Sequence, residues 1–393
     1  MPDASTKTVP KSFAKAPNNP VPLGRFVGYF LRLGAVGFGG PIALAGYMQR
    51  DLVDTRQWIS SEDYIEGLAL AQLAPGPLAA QLAIYLGYIR AGFIGATLVG
   101  FAFIAPSFVM VLAVAAAYVR YGGLPWMQAV FYGIGAAVIA IILKSAVKLA
   151  RMTLRNDKLL WSIFVVLAVS TAITGREIIW LFLLGGLVAL IVKTRAWNTG
   201  LPARAALVPI IVGASKAAGH QLVLQILTFF SKAGLFVFGS GLAIVPFLYG
   251  GVVQQHHWLT DRQFLDAVAV AMITPGPVVI TAAFIGFLVA RLPGALAAAA
   301  GVFLPVYLLV LAIAPYFKRI SKNPQLRAAV EGVTAGATGA IAGAVFVLGR
   351  RAVHDLPTAI IAIVTLAIIS LWRVPEPVII GGAALAGLFL YNP

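Results

Sequence analysis

The tripeptide Pro75-Gly76-Pro77 recurs as Pro275-Gly276-Pro277, each time near the middle of an apolar run of about 26 residues. Proline lacks a backbone donor and collides with the preceding turn, so two prolines around a glycine end a helix there. Inside hydrocarbon the freed carbonyl and N–H groups need partners, so such a break survives only where protein or a wet cavity meets it. The helix that resumes at Leu78, and at Val278 in the copy, would present its first N–H groups with their partial positive charge to the break. Two such ends aimed at one place make a site for an anion. The competing reading is a proline kink or a short re-entrant turn with a packing role.

Other chemistry-bearing residues cluster at matching positions. Gly37-Phe38-Gly39-Gly40-Pro41 is answered by Val237-Phe238-Gly239-Ser240-Gly241. Closely spaced glycines can turn successive N–H groups into a concave nest for an anion, or let two helices approach closely. Arg32 and Lys232 stand inside apolar runs, just before those glycines. A cation there either serves a substrate path or snorkels to an interface. Such a pair would suit a doubly charged anion, Arg32 offering a planar fork and Lys232 a point charge. Glu66 and Asp266 lie two residues into the runs that hold the tripeptides. Each could carry a coupling proton, or only cap a helix N-terminus. Glu331 is a lesser candidate on the same grounds.

Several chemistries are absent from the pattern. There is no cysteine, so disulfides, thiolate nucleophiles and Cys-type zinc sites are excluded. His220, His256, His257 and His354 do not form a ligand set with carboxylates at useful spacing, so no metal and no cofactor is expected. No GxxxxGK[ST] loop is present, which argues against an ATP-driven pump carrying its own motor. No basic stripe with interleaved aromatics lies outside the apolar runs, so no nucleic-acid partner is expected. Without an acid/base or metal constellation, an enzyme is the remote alternative.

The elements that must position these residues follow from composition. Of 393 residues, 60% are hydrophobic and 11% charged, against about 45–50% and about 25% in soluble domains. Too few charges remain to cover a soluble surface, so the chain is read as an all-α, polytopic membrane protein with the lipid bilayer as a partner. Residues 1–24 are polar and proline-containing, without the apolar stretch of a signal peptide, and are expected to form a disordered cytoplasmic tail. Apolar runs follow at 26–46, 64–89, 92–119, 125–143, 159–175 and 177–192. A second series spans 222–248, 264–290, 294–316, 327–348, 357–372 and 375–391. Most approach the roughly 20 residues a helix needs to cross the hydrocarbon, which gives about 12 transmembrane segments, within 10–14.

The two series are copies. Aligned without a gap, 34–77 and 234–277 share 11 identities in 44 positions, Trp58 and Trp258 among them. At an offset of 199 the match continues, Pro106 with Pro305 and Gly133 with Gly332. The expected organisation is a first repeat at 25–192, a linker at 193–221 and a second repeat at 222–393. The net charge of +16 sits mostly in clusters at 144–158, 193–216 and 318–327, as expected of cytoplasmic loops. Keeping all three inside favours inverted repeats. Inversion needs an odd number of crossings before residue 222, and the linker offers only a weak candidate at 205–219.

In these residues the chain resembles the chromate ion transporter family, in its long two-domain form. The resemblance is carried by Gly37-Phe38-Gly39-Gly40-Pro41, Gln72-Leu73-Ala74-Pro75-Gly76-Pro77, Phe238-Gly239 and Thr274-Pro275-Gly276-Pro277, and it covers nearly all of the chain after the tail. It implies export of chromate from the cytoplasm across the inner membrane, driven by the membrane potential or a proton gradient, and chromate resistance. Short relatives carry one half per chain and work as pairs; for this chain a homodimer is left open. The second copy has Ser240-Gly241 where Gly40-Pro41 stand, so unequal roles for the two halves are expected. Sulfate is a dianion of similar shape, so a sulfate transporter or exchanger is the alternative.

Overall fold

The computed structural model describes residues 21–38, 40–121, 124–174, 179–194, 218–235, 244–317, 323–372 and 374–391. Every regular element among them is helical. The first half contains α1 (Leu23–Val36), α2 (Gly40–Met48), α3 (Ser61–Leu73), α4 (Leu78–Tyr121), α5 (Pro125–Leu154), α6 (Lys158–Thr174) and α7 (Ile179–Thr194). The second half repeats the series as α8 (Ala218–Leu235), α9 (Ile244–Tyr249), α10 (Asp261–Ile273), α11 (Thr281–Ile313), α12 (Pro324–Ala352), α13 (Leu356–Leu371) and α14 (Glu376–Leu390). By length and composition, four stretches could cross a membrane: Leu78–Tyr121, Pro125–Leu154, Val278–Tyr316 and Pro324–Arg350. Five shorter apolar helices accompany them. Large apolar side chains such as Phe101, Ile173 and Phe389 point outward, as lipid contact requires.

Local sequence explains the boundaries. Ser60 caps α3 by accepting from the Asp63 N–H at 3.0 Å. Its counterpart Thr260 caps α10 in a reciprocal box with Gln263. Asp157 caps α6 through the N–H groups of Leu159 and Leu160, at 3.0 and 3.3 Å. Asp355 and Thr358 box the start of α13.

The long stretch Leu78–Tyr121 is two helical segments folded at Ala91 and Gly92, whose backbone leaves the helical region. Gly87 and Gly95 touch across the fold, and a Cβ on either would collide with the other's carbonyl. The same fold occurs in α11 at Ala290 and Arg291, with Gly286 against Gly294. These folds fall where the apolar runs 64–89 and 92–119, and 264–290 and 294–316, are separated in the sequence. At Pro75–Pro77 the chain also turns back, because Gly67 of α3 lies against Leu82 and Tyr85 of α4. The tripeptide is therefore the tip of a helical hairpin, not a gap in one continuing helix. The preceding segment returns on itself too, bringing the Trp58 ring within 6.3 Å of the Phe26 ring.

The halves are interwoven. Helix α5 packs on α13 and α14 of the other half, while its counterpart α12 packs on α6 and α7. Glycines make both contacts close: Gly133 of α5 meets Ala383 and Gly387, and Gly332 of α12 meets Gly185 and Ala189. Small residues at such crossings let backbones approach where lipid supplies no hydrophobic drive. The C-terminal part of α5 and the N-terminal part of α12 line one cavity (Met152, Thr153 and Arg327, Val330). The opposite ends of the same helices line another (Phe131, Tyr132 and Ala352).

Candidate functional site

The two tripeptides are largely buried, each against residues of the other half. Gly76 has φ +141° and Gly276 has φ +99°, conformations that L side chains rarely adopt. Around each, the other half supplies the wall: Gly76 lies against Val306 of α11, and Gly276 against Ser107 of α4. The Gly276 N–H donates to the Gly37 carbonyl at 2.8 Å, and the Ser107 hydroxyl donates to the Gly34 carbonyl at 3.0 Å. In the first half the Gln81 amide donates to the carbonyls of Pro75 (2.7 Å) and Ala74 (3.4 Å). The broken backbone is thus satisfied from within the protein, as burial demands. Pro77 precedes α4 directly, whereas Pro277 precedes one 3-10 turn, Val278–Ile280, so that α11 resumes at Thr281 and not at Val278; Pro75 is half-buried and Pro275 buried. Thr274 turns its hydroxyl back to the Val270 carbonyl at 2.7 Å, a packing role within α10.

Leu78, which opens α4, and Val278, which follows the second tripeptide, line the same cavity of about 530 Å³. Gly40, at φ +74°, lines it too. The first intrahelical bond of α4 runs from the Gln81 N–H to the Pro77 carbonyl, at 3.0 Å. The N–H groups of Leu78, Ala79 and Ala80 precede it and carry the helix's positive end. The cavity's charged lining is Lys148, Arg155 and Glu376. These three did not emerge from the sequence as site residues. Residues 144–158 read as a loop cluster, yet α5 continues to Leu154 and carries Lys144, Lys148 and Arg151, with Arg155 just past its end. The spacing of Lys144, Lys148 and Arg151 (four, three) is that of one helix face, a signal the sequence did contain.

The other expected residues fall elsewhere. Arg32 and Lys232 are exposed on α1 and α8, and neither lines a described cavity. The charge of Lys232 reaches His256, whose imidazole is held below its usual range by burial and then by that charge. Gly37 is buried and Phe38 is exposed. Gly39, Phe238, Gly239 and Ser240 lie outside the described residues. Glu66 is half-buried on α3 and faces the Tyr85 hydroxyl of the same half. Asp266 is 3% exposed and accepts a 2.6 Å hydrogen bond from Tyr118 of the other half. Position 284, which corresponds to Tyr85, is a phenylalanine that packs on Tyr118. The two acids therefore sit in different surroundings, despite their equivalent places in the sequence.

Two further cavities lie at opposite ends. One of about 330 Å³ adjoins the first, sharing Gln72, Met152, Thr153, Arg155 and Thr334. In it Lys193 bridges Asp157 (2.7 Å) and Glu331 (2.6 Å), and Arg327 reaches Glu331 at 3.1 Å. The hydrogen bond from Lys193 holds the Asp157 carboxyl below the usual range. The other cavity, of about 500 Å³, is lined by Tyr132, Asp261, Arg262, Asp266, His354 and Asp355. One end is thus richer in cations and the other in carboxylates. No group of three or more metal-ligating side chains occurs among the described residues.

Comparison with known proteins agrees with this architecture. A chromate transport protein of Cupriavidus metallidurans is 58% identical over 94% of this chain and 93% of its own length. A probable chromate transport protein of Synechococcus elongatus is 57% identical over 93% of this chain and 94% of its own. A chromate transport protein of Pseudomonas aeruginosa is 32% identical over 99% of this chain and 95% of its own. No solved structure matches the fold. The chromate transporter family matches twice, at residues 25–190 and again at 224–388, so the chain belongs to that family as a membrane-type helical protein built from two repeats.

Proposed function

We propose that the protein is a secondary transporter that exports chromate from the cytoplasm across the inner membrane and so confers resistance. The anion would pass through the cavity beneath the two Pro-Gly-Pro tips. The observation that carries this reading is that Leu78 and Val278, one from each half, line one cavity together with Lys148 and Arg155. The positive end of α4, the 3-10 turn at Val278 that leads into α11, and two cationic side chains attract a tetrahedral dianion without requiring a metal. Gly37, Gly40, Pro75, Gly76, Pro77, Pro275, Gly276 and Pro277 would shape the tips. Arg32 and Lys232 remain candidates for guiding the anion outside the cavity, and Glu66 and Asp266 for carrying a proton.

The orientation proposed is an inverted repeat. It is supported by the antiparallel run of α5 and α12 between the two end cavities. It is also supported by charge: Lys148, Arg155, Lys193 and Arg327, from all three basic clusters, line adjoining cavities. With that face cytoplasmic, one location satisfies the positive-inside rule for every cluster. The hairpin tips at 75–77 and 275–277 need not count as crossings. The weak candidate for the further crossing that inversion needs, 205–219, lies largely outside the described residues. Export of two negative charges from an inside-negative cell is favourable by about 2.3 kcal/mol per charge per 100 mV, so the membrane potential alone could drive it.

Uptake of radiolabelled chromate into inverted vesicles tests the proposal, with potential and pH gradient collapsed separately and with excess sulfate as competitor. Absence of uptake in every condition rejects transport. Preference for sulfate reassigns the substrate.

A further inference from the structure

Glu376 is a carboxylate in the cavity assigned above to the anion. It opens α14 immediately after Pro375 and is half-buried beside that helix's positive end. From α5 it is faced by the charges of Lys148 and Lys144. Lys144 donates to the Ile369 carbonyl near the end of α13, so Lys148 is the cation that faces the cavity. Arg155, just past the end of α5, and Tyr64 of α3 line the same cavity, and the Tyr64 hydroxyl is committed to the Ala45 carbonyl at 2.7 Å. Helix α13 carries no titratable side chain. On α10 the charged groups Asp261, Arg262 and Asp266 line the far cavity with Leu390 and Tyr391, at the other end of α14. That is roughly 20 Å away along a helix of this length.

A dianion entering the cavity meets a carboxylate in a space walled mostly by apolar surface. Like charges sharing such a site cannot both stay fully ionised at low cost, and one of them takes a proton. Chromate is the more strongly held by helix ends and cations, so the proton goes to the side-chain carboxylate. We propose that Glu376 takes up one proton from the aqueous mouth of the cavity when an oxyanion binds, while Lys148 exchanges the carboxylate's charge for the anion's. This rests on the cavity being the anion's route. It makes occupancy and protonation reciprocal: whatever factor anion binding adds to proton affinity, protonation adds to anion affinity.

The test is chromate binding to the purified full chain by calorimetry, in buffers of two ionisation enthalpies, over a series of pH values. Wild type is expected to take up as much as one more proton per anion than E376Q, because chromate's own protonation is common to both. Its Kd is expected to weaken as pH rises, by up to tenfold per unit, while E376Q stays nearly flat apart from chromate's own titration. Equal proton counts and parallel profiles overturn the inference. A second measurement does not depend on the variant folding: the infrared difference spectrum of wild type with and without chromate. A new carboxylic C=O band supports the proposal, and no band overturns it. Wild-type protein that binds no chromate overturns the cavity reading as well, whereas binding without proton uptake overturns this inference alone.

Discussion

The Gly276 N–H donates a 2.8 Å hydrogen bond to the Gly37 carbonyl, joining the second Pro-Gly-Pro tip to the glycine-rich loop of the first half. The two residues are far apart in sequence, in different repeats. Their bond ties the halves together two residues before Val278, which shares a cavity with Leu78. A Cβ at Gly276 would collide with the Ser107 hydroxyl and come within 3.1 Å of the Gly34 carbonyl.

Gly276→Ala should therefore destabilise the protein by at least ~2 kcal/mol, combining an unfavourable φ with overpacking. Thermal melting followed by fluorescence-detected size exclusion should show an earlier loss of the monodisperse peak. Adding Ser107→Gly should recover part of the loss. A single variant that melts like wild type would contradict the contact.

Arg291 sits at φ +52° where its counterpart in the first half is Gly92, at φ +57°. A non-glycine residue in that region costs about 1–3 kcal/mol. Arg291→Gly should raise stability by about 1 kcal/mol, less any loss of the Arg291 contact with the Phe287 ring. Gly92→Ala should lower stability by a similar amount. Opposite signs in paired melts are the result to look for.

The crossed packing of α5 and α12 predicts how the chain can be cut. Each half expressed alone leaves its long helix without the partners it packs on and should be degraded. Co-expressed halves, divided between Thr194 and Ala218, should co-purify and take up chromate into vesicles. Recovery of a stable, monodisperse single half would show that the crossing is dispensable.

Asp157 has a folded pKa lowered chiefly by its hydrogen bond from Lys193. A lowered carboxylate contributes stability that is present above its unfolded value, about 4, and is lost as pH falls through the folded value. Wild type should lose this contribution below about pH 4, and Asp157→Asn should lack it at all pH values. The side chains are 31% and 25% exposed, so the difference at neutral pH should be about 1 kcal/mol or less. Melting curves of both proteins that converge toward acid would agree; a constant gap would not.

Single replacement of Lys148, Arg32 and Lys232 by Gln separates the cavity cation from the two outer ones. Lys148→Gln should cut chromate uptake at least tenfold, corresponding to about 1.4 kcal/mol. Smaller losses at Arg32 and Lys232 would assign them to guidance at the surface. Unchanged uptake in Lys148→Gln would remove it from the site.

The sequence by itself determined the membrane character, the duplication and the places where helices stop. These depend on local chemistry: hydropathy per residue, proline's missing N–H and glycine's freedom at positive φ act within a few residues. The same local rules pointed to Leu78 and Val278. Only the tertiary structure decided that the tips are hairpins, that α5 crosses to α13 and α14, and that Leu78 and Val278 share one cavity with Lys148 and Glu376. It also separated Glu66, beside its own half's Tyr85, from Asp266, held by the other half's Tyr118. Equivalent sequence positions cannot reveal such a difference. What surrounds a residue in an interwoven fold comes from the partner half, and the partners at Val306 and Ser107, or Tyr85 and Phe284, are no longer alike.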